Sequence, residues 1–209
     1  MGYIAYDCVH YFEPKTVRPL SDPLGIPESV FMFCDSLVVF DHIFQTIRCV
    51  AHVFLPSAAS SSRAEQAAQI KTLYARAEAK IRQMTTVMLS EHTPLPPQPP
   101  VELGLEAVSN VGKEGYEGFV TALRKRIING DIIQAVPSQR LARKTTLHPF
   151  NVYRHLRQLN PSPYMFYVNC QDLQLVGASP ETLCQIENNK VAVHAIAGTI
   201  KRGKDDEGE

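Results

Sequence analysis

Several features that often reveal a protein's function are missing from this sequence of 209 residues. It contains neither a GxGxxG motif nor a P-loop, so nothing local supports nucleotide binding. Basic and acidic residues balance to a formal net charge of zero, which removes the electrostatic case for binding nucleic acid or an anionic membrane. No apolar run approaches the roughly 18 residues that a membrane span needs. The sequence therefore predicts no nucleic-acid partner and no membrane association.

Cysteine and histidine also lack the spacing of metal and catalytic motifs. The five cysteines are scattered and include no CxxC pair, which argues against a zinc site and a disulfide framework and favours the reducing cytoplasm. The seven histidines form no HxxxH or HExxH pattern, and no Ser-His-Asp or Cys-His set stands out. We interpret His194, which lies in a strand-like stretch, as a structural histidine.

What is present is the composition of a soluble globular protein. Hydrophobic residues make up 44% of the chain and charged residues 20%, and the length suits one large domain or two small ones. The sequence opens in mid-strand with GYIAYD and stops at KRGKDDEGE, just after a glycine-containing segment. We interpret it as an internal fragment whose fold is incomplete at both ends.

The first hundred residues predict antiparallel sheet followed by one long helix. Aromatic and β-branched residues favour strands at 3–13, 30–40 and 46–55. A helix is predicted over 63–89, with Ser62 and Glu65 forming a capping box at its start. The apolar face of this helix consists of Ala67, Ile70, Tyr74, Ala77, Ile81, Met84 and Met88. A helix that covers a sheet is favoured over a partner-binding or membrane helix.

The proline-rich stretch at 94–100 predicts a stiff linker between two regions, 1–100 and 101–209. In the second region a helix is predicted over 114–129, and Asn129-Gly130 supplies its left-handed stop. A further helix begins at Pro149. Strands are predicted at 131–142, 163–169, 173–178, 182–187 and 190–197. The predicted fold class is α+β, with antiparallel β-sheets and covering helices.

Glu181 and Gly198-Thr199 are the residues best placed for chemistry. Glu181 follows Pro180 where one strand turns toward the next, and a carboxyl in a sheltered pocket there has the raised pKa of a general acid. A solvated carboxylate at a sheet edge is the alternative. Gly198 and Thr199 offer backbone N–H groups and a hydroxyl that suit a small anion, or else form only a tight turn.

Two further segments are candidates for ligand contact. Gln134 is a polar residue within IIQAV and faces either solvent or a site. The stretch NPSPYM at 160–165 brings two prolines, a tyrosine and a methionine to a helix-to-strand junction. This combination favours an apolar pocket rim, and its alternative is a rigid turn into a core strand.

Taken together, six segments resemble the chorismate-utilising enzymes, and within that family the large-subunit (component I) type of anthranilate synthase. They are GYIAYDCVHYFEPKT, FMFCDSLVVFDH, GDIIQAVPSQR, NPSPYMFYV, LVGASPETL and AIAGTIKRG. The resemblance covers nearly the whole chain and is weakest over the 56–100 helix and linker. It implies the α+β fold of anthranilate synthase component I, with 101–209 as the first part of a chorismate-binding domain.

Two positions distinguish members of the family. Isochorismate and salicylate synthases carry a lysine where this chain has Gln134, and ammonia, unlike water, needs no such base to become nucleophilic. Aminodeoxychorismate synthases often carry an attacking lysine where this chain has Ala197. Both positions favour an amine-transferring anthranilate synthase, although aminodeoxychorismate synthase component I stays an alternative.

The resemblance also implies roles for individual residues. Glu181 is the catalytic acid that helps the 4-hydroxyl of chorismate leave as ammonia adds at C2, and Gly198, Thr199 and Gln134 bind the substrate. The tryptophan effector site is lined by Asn160, Pro163, Tyr164 and Met165. The implied partners are chorismate, tryptophan as feedback inhibitor and a glutamine amidotransferase component that supplies ammonia, with Mg²⁺ as cofactor.

The sequence departs from the family pattern in ways that bear on activity. Ala195 replaces the usual proline of the PIAGT motif. The family's Mg²⁺ carboxylates are expected beyond residue 209, so no metal ligand is predicted within the chain, and part of the tryptophan site is expected before residue 1. We therefore predict that this polypeptide by itself is inactive. A non-catalytic tryptophan-sensing remnant and a non-functional gene fragment stay open.

Overall fold

The computed structural model describes residues 1–55, 62–195, 198 and 201. These residues form α-helices and antiparallel β-strand pairs, which confirms the predicted α+β class. The strands in chain order are β1 (Gly2–Ile4), β2 (Ser29–Phe31), β3 (Ser36–Asp41), β4 (Thr46–Ala51), β5 (Val108–Ser109), β6 (Leu141–Ala142), β7 (Tyr164–Asn169), β8 (Gln174–Ser179), β9 (Gln185–Glu187) and β10 (Lys190–Ala192). The α-helices are α1 (Arg63–Met88), α2 (Gly112–Ile128) and α3 (Pro149–Leu159).

Each strand pairs with one neighbour, giving two-stranded sheets among the described residues. The pairs are β1 with β2, β3 with β4, β5 with β6, β7 with β8 and β9 with β10. The chain divides into two compact units. One contains Met1–Leu95 and Val168–Leu175, which is the tip of the β7–β8 hairpin, and the other contains Pro96–Tyr167 and Val176–Glu209.

In the first unit, α1 lies against β4 of the β3–β4 hairpin, as predicted for a helix that covers a sheet. The capping box is present, because the Ser62 hydroxyl accepts from the Glu65 N–H and the Glu65 carboxylate accepts from the Ser62 N–H. These hydrogen bonds from Ser62 lower the pKa of Glu65. The helix face that turns away from solvent includes Leu73 rather than Tyr74, which is 66% exposed.

In the second unit, α2 ends in a Schellman motif. Gly130 adopts a left-handed φ of 76°, its N–H donates to the Ile127 carbonyl at 3.0 Å, and the Asp131 N–H donates to the Arg126 carbonyl at 2.9 Å. The predicted stop at Asn129-Gly130 is therefore confirmed. Because glycine lacks a Cβ, it reaches this φ without steric cost.

Helix α3 begins with Pro149 in its first turn, as predicted, and is fastened to β7 by an aromatic cluster. The ring of Phe150 lies edge-on to that of Tyr167 at a centroid distance of 5.5 Å, and Tyr153 lies 6.3 Å from Tyr167. Such pairs contribute about 0.5–1.5 kcal/mol each beyond the area they bury. The cluster fixes the junction between α3 and β7, where the NPSPYM segment runs.

Several predicted strands are wrong or too long. The strand predicted over 3–13 ends at Ile4, and a 3₁₀-helix at Tyr6–Tyr11 follows. The strand predicted over 131–142 is limited to β6. Pro137 has no N–H to donate to a strand partner, and residues 131–140 pair with no strand of the described chain. Ile133, for example, is 97% exposed. The hairpin across Asn188-Asn189 is confirmed, with φ of 50° and 59°, but its strands are shorter than predicted.

Little of the described chain is buried. Cys8 and Val168 are the hydrophobic side chains that reach the interior, while large apolar side chains remain exposed along both units. None of the described helices combines the length and the apolar character needed to cross a bilayer. Extended apolar exposure of this kind is typical of surfaces that other protein covers.

Gly118 within α2 and Gly130 at its C-terminal stop give a matched test of backbone geometry. An added Cβ would meet nothing within 4 Å at either Gly118 or Gly130, so only the positive φ of Gly130 distinguishes them. We expect Gly130→Ala to lower the free energy of unfolding by about 1–2 kcal/mol. The Gly118→Ala control should raise it by about 0.5–1 kcal/mol, because alanine favours a helix interior. Urea unfolding measures both, and equal effects would contradict the assignment.

Candidate functional site

The candidate site is built on residues 179–182, which we call the Glu181 turn. Strand β8 ends at Ser179, and Pro180 then removes a backbone N–H and fixes φ, so the chain leaves the ladder. The Ser179 hydroxyl donates to the Glu181 carbonyl at 3.1 Å and closes the turn. The position of Glu181 is therefore set by Pro180 and by the Ser179 hydrogen bond.

The carboxylate of Glu181 contacts a histidine that follows β10. His194 Nδ1 lies 3.2 Å from Glu181 Oε1, with side-chain exposures of 58% and 40% respectively. The described residues thus do not form the sheltered pocket expected around Glu181. A pair this exposed contributes at most about 1 kcal/mol to stability. The contact sets the direction of the carboxyl more than it stabilises the fold.

Thr182, the last residue of the turn, is held by a residue from the NPSPYM segment. The Tyr164 hydroxyl and the Thr182 hydroxyl share a hydrogen bond across 18 residues of sequence. Tyr164 is the first residue of β7 and is 48% exposed. The structure therefore brings a predicted effector residue into contact with the immediate neighbour of the predicted catalytic acid.

The other predicted effector residues lie around this contact. Asn160 caps α3, and its N–H donates to the Leu156 carbonyl at 2.8 Å. Pro163 is exposed, and Met165 is half-buried in β7. In the same segment, the Ser162 hydroxyl is buried and has no hydrogen-bond partner among the described residues. The segment connects α3 to β7, and the choice between an apolar pocket rim and a rigid turn stays open.

Strand β8 approaches β7 closely at Gly177, four residues before Glu181. The ring of Phe166 fills the space in which a Cβ on Gly177 would stand, with Phe166 Cε1 and Cε2 at 2.6 and 2.8 Å from that position. Only glycine fits there while the ring keeps its place. This contact ties the β8 end that carries the Glu181 turn to the strand that carries Tyr164.

The remaining predicted residues are not brought to Glu181 by any described contact. Gln134 is exposed in the irregular stretch before β6, and Gly198 is exposed three residues beyond Ala195. Thr199 and Ala197 lie outside the described residues, so their predicted roles stay predictions. Gly198 lies four positions after His194, so this segment is close in sequence to the residue that contacts Glu181.

The described residues do not assemble a metal centre. No group of three histidine, cysteine or carboxylate side chains with metal-binding geometry occurs in the described part of the chain. Glu181 supplies a single carboxylate, whereas Mg²⁺ takes several oxygen ligands. A cavity of about 560 Å³ lies elsewhere, beside α1, and is lined by Phe54, Leu55, Ala68, Gln69, Thr72, Leu73 and Arg76. None of these lining residues was predicted to be functional.

Two residues of the site were missed by sequence reasoning. Thr182 was not singled out, although a hydroxyl directly after the predicted acid is a simple signal for a positioning contact. His194 was interpreted as structural, yet it contacts the Glu181 carboxylate. Its place shortly before the Gly198 segment was the signal that could have connected it to the site.

Comparison with known proteins identifies the family. The sequence matches the model of the family described as chorismate binding enzyme over residues 1–209. The chain belongs to the chorismate-binding enzyme family. The resemblance to this family, which was predicted from six sequence segments, is thereby confirmed.

Curated relatives of the family match along nearly the whole chain. A protein of Schizosaccharomyces pombe named probable anthranilate synthase component 1 is 50% identical over 204 residues, which are 98% of this chain and 40% of that protein. Anthranilate synthase component 1 of Saccharomyces cerevisiae is 49% identical over 206 residues, covering 97% of this chain and 39% of the yeast protein. The chain therefore spans about two fifths of the length of these relatives.

A solved member of the family supports the fold. The crystal structure of anthranilate synthase component I from Streptococcus pneumoniae matches with a TM-score of 0.68 and 28% sequence identity. The match covers 91% of this chain and 40% of the bacterial chain. The predicted component I-like fold is confirmed by this similarity.

The Phe166–Gly177 contact predicts a specific coupling. Gly177→Ala should force the Phe166 ring off the strand and lower the free energy of unfolding by about 1 kcal/mol. In a Phe166→Ala background the added methyl group meets no ring, so the same substitution should cost little. A double-mutant cycle measured by urea unfolding tests this. Additive effects of the two substitutions would contradict the contact.

Proposed function

We propose that this chain is part of the large subunit of an anthranilate synthase, which converts chorismate and ammonia to anthranilate and pyruvate in tryptophan biosynthesis. The observation that carries the proposal is the 50% identity to the Schizosaccharomyces pombe relative along 98% of this chain. Sequence similarity at this level over the whole chain supports a shared reaction rather than a shared fold alone. The Gln134 and Ala197 positions, which lack the lysines of other family members, support the same choice.

Glu181 is the proposed general acid of the reaction. Its carboxyl, held by His194 and by the turn behind Pro180, protonates the 4-hydroxyl of chorismate as that group leaves. Ammonia adds at C2 of the ring, and the loss of pyruvate then restores aromaticity. Since ammonia is already nucleophilic, Gln134 in place of a lysine base is consistent with amine transfer. Gly198 and Thr199 are proposed to contact the substrate through backbone N–H groups and a hydroxyl.

The exposure of Glu181 indicates what the rest of the site must add. A catalytic carboxyl with 40% of its side-chain surface exposed is not yet in the dry environment that favours acid catalysis. We propose that other parts of the complete protein cover this turn and supply the Mg²⁺ ligands, which the described residues do not provide.

Tryptophan is the proposed effector, at the segment of Asn160, Pro163, Tyr164 and Met165. The exposed Tyr164 ring and the half-buried Met165 offer the apolar surface that an indole needs. The proposed partner is a glutamine amidotransferase component that delivers ammonia. The five free thiols favour the cytoplasm as the compartment.

A second function, binding without catalysis, is favoured by the same exposed carboxyl. If the chain acts alone, the predicted effector segment is present while the acid lacks a closed pocket. A tryptophan-sensing remnant would bind tryptophan in calorimetry and form no anthranilate. Aminodeoxychorismate synthase activity would be recognised by its product, an aminodeoxychorismate that stays non-aromatic.

The 209-residue chain by itself should form no anthranilate from chorismate, ammonia and Mg²⁺, because it spans about two fifths of the relatives. A chimera of the Schizosaccharomyces pombe relative, in which this chain replaces the matching 40%, should form anthranilate, detected by its fluorescence. Activity of the isolated chain would refute the first expectation. A folded but inactive chimera would count against the proposed function.

The role of Glu181 is tested in that chimera. Glu181→Gln keeps the shape of the side chain but cannot donate the proton as a carboxylic acid, so kcat should fall by about 10²-fold or more. Glu187→Gln, the same change at an exposed carboxylate of β9, is the control and should leave kcat unchanged. Equal activity of the two variants would remove Glu181 from the proposed mechanism.

A further inference from the structure

One hydrogen bond connects two segments to which the proposed function gives different tasks. Tyr164 belongs to the effector segment, while Thr182 follows the proposed acid directly in sequence. Nothing in the reaction itself requires this contact, because neither hydroxyl reaches the Glu181 carboxylate in any described interaction. Its place at the C-terminal side of the Glu181 turn makes it a mechanical constraint on that turn.

The turn has few other constraints on this side. Strand β8 and the Ser179 hydroxyl hold its beginning, and His194 holds the Glu181 side chain. After Thr182, the chain is irregular until β9 begins at Gln185. The hydrogen bond to Tyr164 therefore connects Thr182, the last residue of the turn, to strand β7. In the described part of the chain, the other hydrogen bonds and ion pairs of residues 181–184 are the Ser179 hydroxyl bond to the Glu181 carbonyl and the His194 contact with the Glu181 side chain.

From this geometry we infer that Tyr164 is a positioning residue for Glu181 that acts through Thr182. The inference rests on the proposed function for its catalytic meaning. Tyr164 is 48% exposed, so a ligand that packs on its ring can turn the ring and break the bond to Thr182. A ligand bound at residues 160–165 is then sensed at Glu181 through one hydroxyl pair, with the hydrogen bond as the element that is either made or broken.

The size of the effect follows from the strength of one hydrogen bond. An ordinary intramolecular hydrogen bond shifts a two-state equilibrium by about fivefold. The loss of the bond should therefore leave the chain folded while it raises the mobility of the turn. Tyr164→Phe removes only the hydroxyl and keeps the ring on which a ligand would pack.

The test uses amide relaxation and chemical shifts of the ¹⁵N-labelled 209-residue chain without ligand. In the wild type, the Glu181 and Thr182 amides should have order parameters near 0.85, typical of rigid backbone, and in Tyr164→Phe they should fall toward 0.6 or below. Thr182→Val, which keeps shape but loses the hydroxyl, should do the same. Thr182→Ser keeps a hydroxyl and should restore order. Tyr167→Phe, the same chemical change on the same strand, should alter nothing at Glu181.

Addition of L-tryptophan supplies the second readout. In the wild type, tryptophan should shift the Glu181 amide and the His194 ring resonances, and in Tyr164→Phe it should bind within about threefold of the same Kd but no longer shift them. Unchanged order at Glu181 in both Tyr164→Phe and Thr182→Val would overturn the positioning role. Shifts that persist in Tyr164→Phe would overturn the link to the effector.

Failure of the proposed function would look different. An inactive chimera, or a wild-type chain that binds no tryptophan in calorimetry, counts against the catalytic or effector assignment, whereas the ligand-free relaxation data judge Tyr164 and Thr182 alone. If Tyr164→Phe loses its amide dispersion through unfolding, the Thr182→Val and Thr182→Ser pair decides the question. Equal mobility in that pair would overturn the inference.

Discussion

Pro180 interrupts the ladder of β8, and the geometry of the candidate site depends on that interruption. Because a proline has no N–H to donate and a fixed φ, the chain must leave the sheet at this point. The Ser179 hydroxyl bonds the Glu181 carbonyl across the bend, so the carboxyl that follows is presented at the end of a strand rather than within it. His194 and the Tyr164–Thr182 hydrogen bond then restrain the two residues that leave the turn.

The strands that carry the turn are themselves held by apolar contacts. Phe166 packs over Gly177, and the rings of Phe150 and Tyr153 fasten α3 to Tyr167 of the same strand β7. The burial of the described chain is otherwise slight, and its large apolar side chains stay exposed. The chain spans about two fifths of its relatives, and its exposed apolar side chains are typical of surfaces that other protein covers.

The sequence predicted best those features that have a local physical cause. The helix α1 with its Ser62 cap, the glycine stop of α2 and the asparagine turn before β10 each follow from a few neighbouring residues. The strand over 131–142 failed because pairing depends on partners distant in sequence, which periodicity cannot supply. The side-chain contacts of the candidate site were likewise not predicted. The role predicted for Glu181 stays a prediction, and its contacts were not predicted, because its partner His194 lies 13 residues away and its neighbour Thr182 is bonded across 18.

The central claim is that the carboxyl of Glu181 acts on the substrate from the end of β8. A crystal structure of the chimera with chorismate bound tests it most directly. The account predicts the Glu181 carboxyl within hydrogen-bond distance, about 2.6–3.2 Å, of the 4-hydroxyl oxygen of chorismate. Chorismate bound in a site that the Glu181 carboxyl does not reach would contradict it.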